Sequence, residues 1–105
     1  MALPLVNRLS DLPASLSVEQ TKVLSAGSLF RLEHILSGGH NSPIDFWYDQ
    51  DTEEWAILLS GSAELEFEEG RLALDAGDAV LIPAHCRHRV VRSTQAVWLA
   101  LYFSS

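Results

Sequence analysis

An all-β sandwich or barrel is the fold this chain predicts, on three observations. Short apolar segments recur at roughly 8–12-residue spacing, as strands of such folds do. Glycine-marked turns separate them, at Ser60-Gly61-Ser62, Glu69-Gly70-Arg71 and Ala76-Gly77-Asp78. No stretch sustains the helical period of apolar residues over a long run.

In chain order, residues 1–27 form an irregular lead-in, and residues 28–105 form one barrel domain. The lead-in carries Leu3-Pro4 and Leu12-Pro13, and proline keeps both places extended or turning. Ser15 to Ser25 suits either a helical turn or an edge strand, packed along a sheet or a neighbouring subunit. From Ser28 a strand begins, with Leu29, Arg31, Glu33 and Ile35 on one face and Phe30, Leu32, His34 and Leu36 on the other. The second face is the more apolar, which places His34 on a buried side. Ser37 to Pro43 reads as a loop, and Ile44 to Tyr48 as a strand running into an acidic bend. Trp55 to Leu59 is apolar on both faces, as a central strand would be. Ala63, Leu65 and Phe67 alternate with Glu64, Glu66 and Glu68, which predicts one buried and one solvated face. Leu72 to Leu74, Ala79 to Ile82, Arg87 to Arg92 and Val97 to Phe103 complete the strand set.

Length and charge narrow the partners. The 105 residues suffice for a single modest core. Net charge is −7, and an acidic surface argues against nucleic acid, which demands a basic face. Arg87, Arg89 and Arg92 form a local basic cluster that suits a solvated face better than a phosphate backbone. No apolar run is long enough to span a bilayer, and the start lacks the pattern of a secretory signal. The one cysteine, Cys86, has no intramolecular disulfide partner, so a cytoplasmic chain is expected.

Two clusters of chemistry-bearing side chains flank the central strands. Trp47 to Glu54 supplies Asp49, Asp51, Glu53 and Glu54; Pro83 to Arg89 supplies His85, Cys86 and His88. Their spacing resembles the cupin superfamily, jelly-roll barrels of the double-stranded β-helix type. The first cupin motif has two histidines one residue apart, then four residues, a glutamate, six residues and a glycine. Glu54 and Gly61 match its end. The second has a glycine, five residues, a proline, and a histidine shortly after. Gly77, Pro83 and His88 match it. The likeness covers about residues 28–103. Trp47 and Asp49 stand where the two motif-one histidines would fall, His85 where a turn glycine is usual, and Arg92 where an inward asparagine often follows.

The resemblance implies a cavity that Glu54 and His88 enter as metal ligands. Strand parity places Trp47 and Asp49 on one face, the face the family's histidines use. Asp49, Glu54 and His88, with His85 if a turn brings it round, would then hold Fe, Mn or Zn with open positions for water or substrate. No organic cofactor is expected. Without metal, the same groups form a hydrogen-bonded cluster in an apolar pocket. There one carboxylate has its pKa raised by the other's charge, and the pair acts as acid and base. Asp49, itself a ligand type, tips the balance toward metal. Trp47 is expected to shape the ligand pocket, and Arg92, inward by parity with His88, to meet a carboxylate.

Other residues suggest less. His34 reads as a satisfied core histidine rather than a ligand. His40 sits in a glycine-rich loop at the expected barrel mouth. Cys86 beside His85 and Arg87 invites a lowered thiol pKa, although a partnerless turn cysteine is usually structural. Three function classes stay open: a metal-dependent dioxygenase or isomerase of a small metabolite, a metal-free sensor or carrier, and an assembly role. The third rests on the outward apolar faces of Trp55–Leu59 and Val97–Phe103, which need covering, and a homodimer fits either of the first two.

Overall fold

The computed structural model describes residues 4, 6, 8–9, 19–39, 41–43 and 45–104. Eight strands follow in order: β1 Gln20–Ala26, β2 Phe30–Gly38, β3 Glu53–Ser60, β4 Ser62–Phe67, β5 Gly70–Asp75, β6 Ala79–Ile82, β7 His88–Ser93 and β8 Gln95–Phe103. They form a five-stranded sheet ordered β1-β2-β8-β3-β6 and a three-stranded sheet ordered β5-β4-β7, with antiparallel pairing throughout. No helix long and apolar enough to cross a membrane occurs among the described residues.

Each sheet turns one face inward by simple alternation. From the large sheet come Ile35, Ala56, Leu58, Ala96, Trp98 and Ala100; from the small one come Leu65, Leu74 and Val90. Leu58 and Ala96 are fully buried and pack with Leu65 and Leu74 at one end of the interior. On the outward face of the small sheet, Glu64 and Glu66 are not left bare. Arg71 approaches both, Arg92 reaches Glu64 at 3.1 Å and Arg89 reaches Glu66 at 2.7 Å. That last bond, above all, holds the Glu66 carboxyl below its usual range.

Of the two readings left open for Ser15 to Ser25 in the lead-in, a helical turn or an edge strand, the structure has the second: Gln20–Ala26 is the edge strand β1, paired along β2 from Gln20↔Leu36 to Ala26↔Arg31. It alternates weakly because almost all of it is exposed, so periodicity had little to report. The strand expected over Ile44 to Tyr48 is not seen in residues 45–48, where Tyr48 makes an isolated bridge to His88; Ile44 lies outside the described residues. His40 also lies outside the described residues, as does most of the lead-in.

His34 is buried, with Nε2 2.9 Å from the Leu9 carbonyl. A carbonyl can only accept, so Nε2–H donates, and the ring is a satisfied structural group. Its face of β2 is the outer one, however. Ile35, on the opposite face, lines the interior.

Candidate functional site

Between the sheets lies a cavity of about 130 Å³. Its walls are mostly apolar, from Ile35, Leu65, Val80, Ile82 and Val90, and its polar groups gather at one end. Glu54, the second residue of β3, lies in one lateral row with Tyr102 of β8 and Ile82 of β6. Directly paired residues project to the same side of a sheet, so Glu54 and Tyr102 enter together. His88 starts β7 in the facing sheet. Two cavity-lining side chains therefore come from the opening residues of two strands.

Glu54 and His88 are nearly sequestered, with side chains 12% and 8% exposed, and Glu54 Oε1 lies 3.7 Å from His88 Nε2. Gln50 Nε2 donates to Glu54 Oε1 at 3.0 Å, and the Tyr102 hydroxyl also bonds the carboxylate. His88 Nδ1 lies 2.9 Å from the Cys86 carbonyl. Nδ1 must carry the proton there, so the neutral ring directs an Nε2 lone pair toward Glu54. Tyr48 stacks on the His88 ring, centroids 5.3 Å apart at 25°, and Phe67 leans on it at 6.1 Å.

Burial dominates the electrostatics. Desolvation, reinforced by the charge of Glu33, raises Glu54 to about 7 against the opposing pull of the Tyr102 bond and Arg31. Desolvation lowers His88, partly offset by its bond to Cys86. Tyr102 and Tyr48 are both pushed up, again chiefly by burial. A carboxyl moved up and an imidazole moved down both favour their uncharged forms, a setting in which a buried pair can hold and pass a proton.

Four of the residues singled out from sequence sit elsewhere. Asp49 and His85 pair with each other, Oδ1 to Nδ1 at 3.0 Å, with side chains 52% and 68% exposed. Trp47 is half-buried beneath Arg87 and Arg89, each guanidinium 5.2 Å from the indole ring. One residue of phase explains both. The bridge Tyr48↔His88 sends Tyr48 inward with His88, so Tyr48 and Gln50 line the cavity while Trp47 and Asp49 do not. Arg92 also points out, to Glu64. Here the cause is a β-bulge: Leu65 pairs with Val90 but Glu64 with Arg92, so Val91 is the extra residue and parity with His88 is lost. His85 has φ +61°, the left-handed backbone that suits the glycine it replaces. Cys86, where a lowered pKa was conceivable, is instead pushed up by burial and by Glu69 and Glu68.

Sequence reading missed Tyr102, Tyr48 and Gln50. Glutamine two residues after a tyrosine, on the acidic bend, was a period-two signal that the assumed strand phase concealed. Tyr102 carried no local signal.

The donor set does not fit the resident metal that the resemblance implies. Within the cavity, Glu54 and His88 lie together, the lining carboxylate of Glu19 does not group with them, and Asp49 and His85 are committed to each other. Among the described residues no three of His, Cys, Asp and Glu come together as a metal-binding group.

The comparisons agree with this architecture. The family model described as Cupin domain matches residues 31–102. A structure from Ralstonia eutropha JMP134, named a "putative mannose-6-phosphate isomerase", superposes with TM-score 0.91 at 35% identity, covering 97% of this chain and all of that one. A cupin superfamily protein of Desulfitobacterium hafniense DCB-2 aligns with TM-score 0.75 at 16% identity, over 94% of this chain and all of the other. KdgF from Halomonas sp. gives 0.74 at 17%, over 95% and 93%. These last two speak for the fold alone. No curated protein is a significant match. With the family's barrel, both half-motifs in place and a match across most of its length, the chain belongs to the Cupin domain family.

Proposed function

We propose that this cupin binds a small, partly apolar molecule between its sheets and exchanges a proton with it through Glu54 and His88, without a resident metal. The observation that carries the reading is the pair itself. A nearly sequestered carboxyl and an imidazole whose tautomer is set by the Cys86 carbonyl meet at the polar end of an otherwise apolar cavity. What the Ralstonia protein's name says of that protein does not transfer readily. About 130 Å³ is well below the roughly 300–1,000 Å³ typical of metabolite-sized sites, and among the described residues no Lys or Arg lines the cavity to hold a phosphate.

Metal analysis tests this directly. Protein purified without chelator or nickel resin is expected to carry far less than one equivalent of metal, and equally little after Glu54→Ala or His88→Ala. Near-stoichiometric Fe, Mn or Zn that disappears in both variants would overturn the metal-free reading. His85→Gly is expected to behave as wild type in ligand binding, because His85 lies outside the cavity.

We also propose that the outward face of the five-stranded sheet is covered by a second copy. Trp55, Leu81 and Leu101 share one outward row, Phe30 and Phe103 the next, and Trp55, Leu81 and Phe30 are exposed. Light scattering should give a dimer for wild type and a monomer for Trp55→Asp; a wild type that is monomeric at micromolar concentration refutes it.

A further inference from the structure

Charge complementarity narrows the ligand class, on the premise that the cavity is the binding site. Glu54 is a buried carboxylate with no cationic side chain bound to it: its ion-pair contact is His88, whose ring is neutral when Nε2 carries the lone pair. Arg31, the basic group that acts on Glu54 from β2, is engaged by Glu33 and lies over the Tyr102 ring, 4.5 Å from its centroid. Glu19 adds a second carboxylate to the lining. Tyr102 and one N–H of Gln50 are directed at Glu54, whose remaining lone pairs and His88 Nε2 are acceptors. Burying an anion without a bound counter-charge is costly, and among the described residues no cation bonds Glu54.

We propose that the cavity takes a small primary amine, its ammonium placed between the Glu54 carboxylate and His88 Nε2. An ammonium brings three N–H donors and one positive charge to a site that offers acceptors and negative charge. Tyr48, Trp98 and Tyr102 present ring surface nearby, a favourable lining for an organic cation and its alkyl stem. Size agrees, since a cavity of roughly 150 Å³ holds a molecule like benzene. Anions are disfavoured by the same charges.

Three isosteric probes decide the matter: n-butylamine, n-butanol and butyrate, titrated into the protein by NMR while following the Trp98 indole. Butylamine is expected to bind about ten-fold or more tighter than butanol, with butyrate weakest. Glu54→Gln, which keeps the shape and removes the charge, should bring butylamine down to the level of butanol. Val80→Phe, which fills part of the cavity from edge strand β6, should weaken butylamine and butanol together. If butanol or butyrate matches butylamine and is displaced by Val80→Phe, the amine assignment falls while the cavity remains the binding site. Butylamine affinity unchanged in Glu54→Gln also overturns it. Should none of the probes bind, or should binding ignore Val80→Phe, both the amine assignment and the cavity reading fail.

Discussion

Glu54→Gln is expected to be more stable than wild type at pH 8, by as much as roughly 3 kcal/mol, and to lose that advantage by pH 5. The figure is the rise from 4.5 to about 7 at 1.36 kcal/mol per unit. Because the folded pKa is raised, below pH 4.5 the carboxyl is protonated in both folded and unfolded chains and carries no penalty. Between 4.5 and about 7 the unfolded chain ionises while the folded one holds its proton, so wild-type stability falls as pH rises. Glutamine has no charge to bury, and its carbonyl still accepts from Gln50 and Tyr102. His88 works in the opposite sense. Its folded pKa is lowered, so it penalises the folded state at acid pH and the penalty fades as pH rises toward 6.5. The difference between the two proteins' urea midpoints, converted through m, reports Glu54 together with its coupling to His88 3.7 Å away. A difference that stays flat from pH 5 to 8 would mean the carboxyl is hydrated or otherwise neutralised.

The second large effect belongs to Gly61. Gly61→Ala is expected to destabilise by at least about 3 kcal/mol, whereas Gly77→Ala costs only about 1. Both glycines are left-handed, at φ +89° and +95°. Only the first is crowded. A Cβ at Gly61 would press into the Gln95 carbonyl oxygen, with Ala96 Cα and Thr94 Oγ1 each at 3.0 Å, and the first two are backbone atoms of β8 and cannot swing away. At Gly77 nothing lies within 4 Å. The difference between the two variants therefore measures the steric part alone. Equal costs would mean that the β3–β4 turn relaxes away from β8. The experiment also explains why a glycine follows Glu54 by seven positions: the turn that leaves β3 runs directly against the chain entering β8.

Much of the barrel was legible because its signals are local. Strand alternation in Ala63–Phe67, the glycine turns and the doubly apolar Trp55–Leu59 and Val97–Phe103 each lie within a few residues; the apolar segments fall on strands and the glycines at the junctions between them. Glu54 and His88 were legible through the resemblance of their spacing to the two cupin motifs rather than through alternation, and both line the cavity. Burial of His34 was also readable from alternation, though the outer face that buries it was not.

What needed the tertiary structure was every phase that long-range contacts set. A single bridge to His88 makes Tyr48 and Gln50, rather than Trp47 and Asp49, face the cavity. The bulge at Val91 turns Arg92 outward although sequence parity turned it in. Glu54 does have its pKa raised, but the leading cause is desolvation. The assisting carboxylate is Glu33, on another strand, rather than Asp49 five residues away. The sequence by itself determined an all-β fold, because alternation and turn spacing are properties of neighbouring residues, and its motif spacing carried the resemblance that implied a cupin barrel with Glu54 and His88 entering it. The packing of two sheets decided which groups join that pair and at what charge, because side-chain direction in irregular segments and the desolvation of a carboxyl depend on chain that arrives from far away.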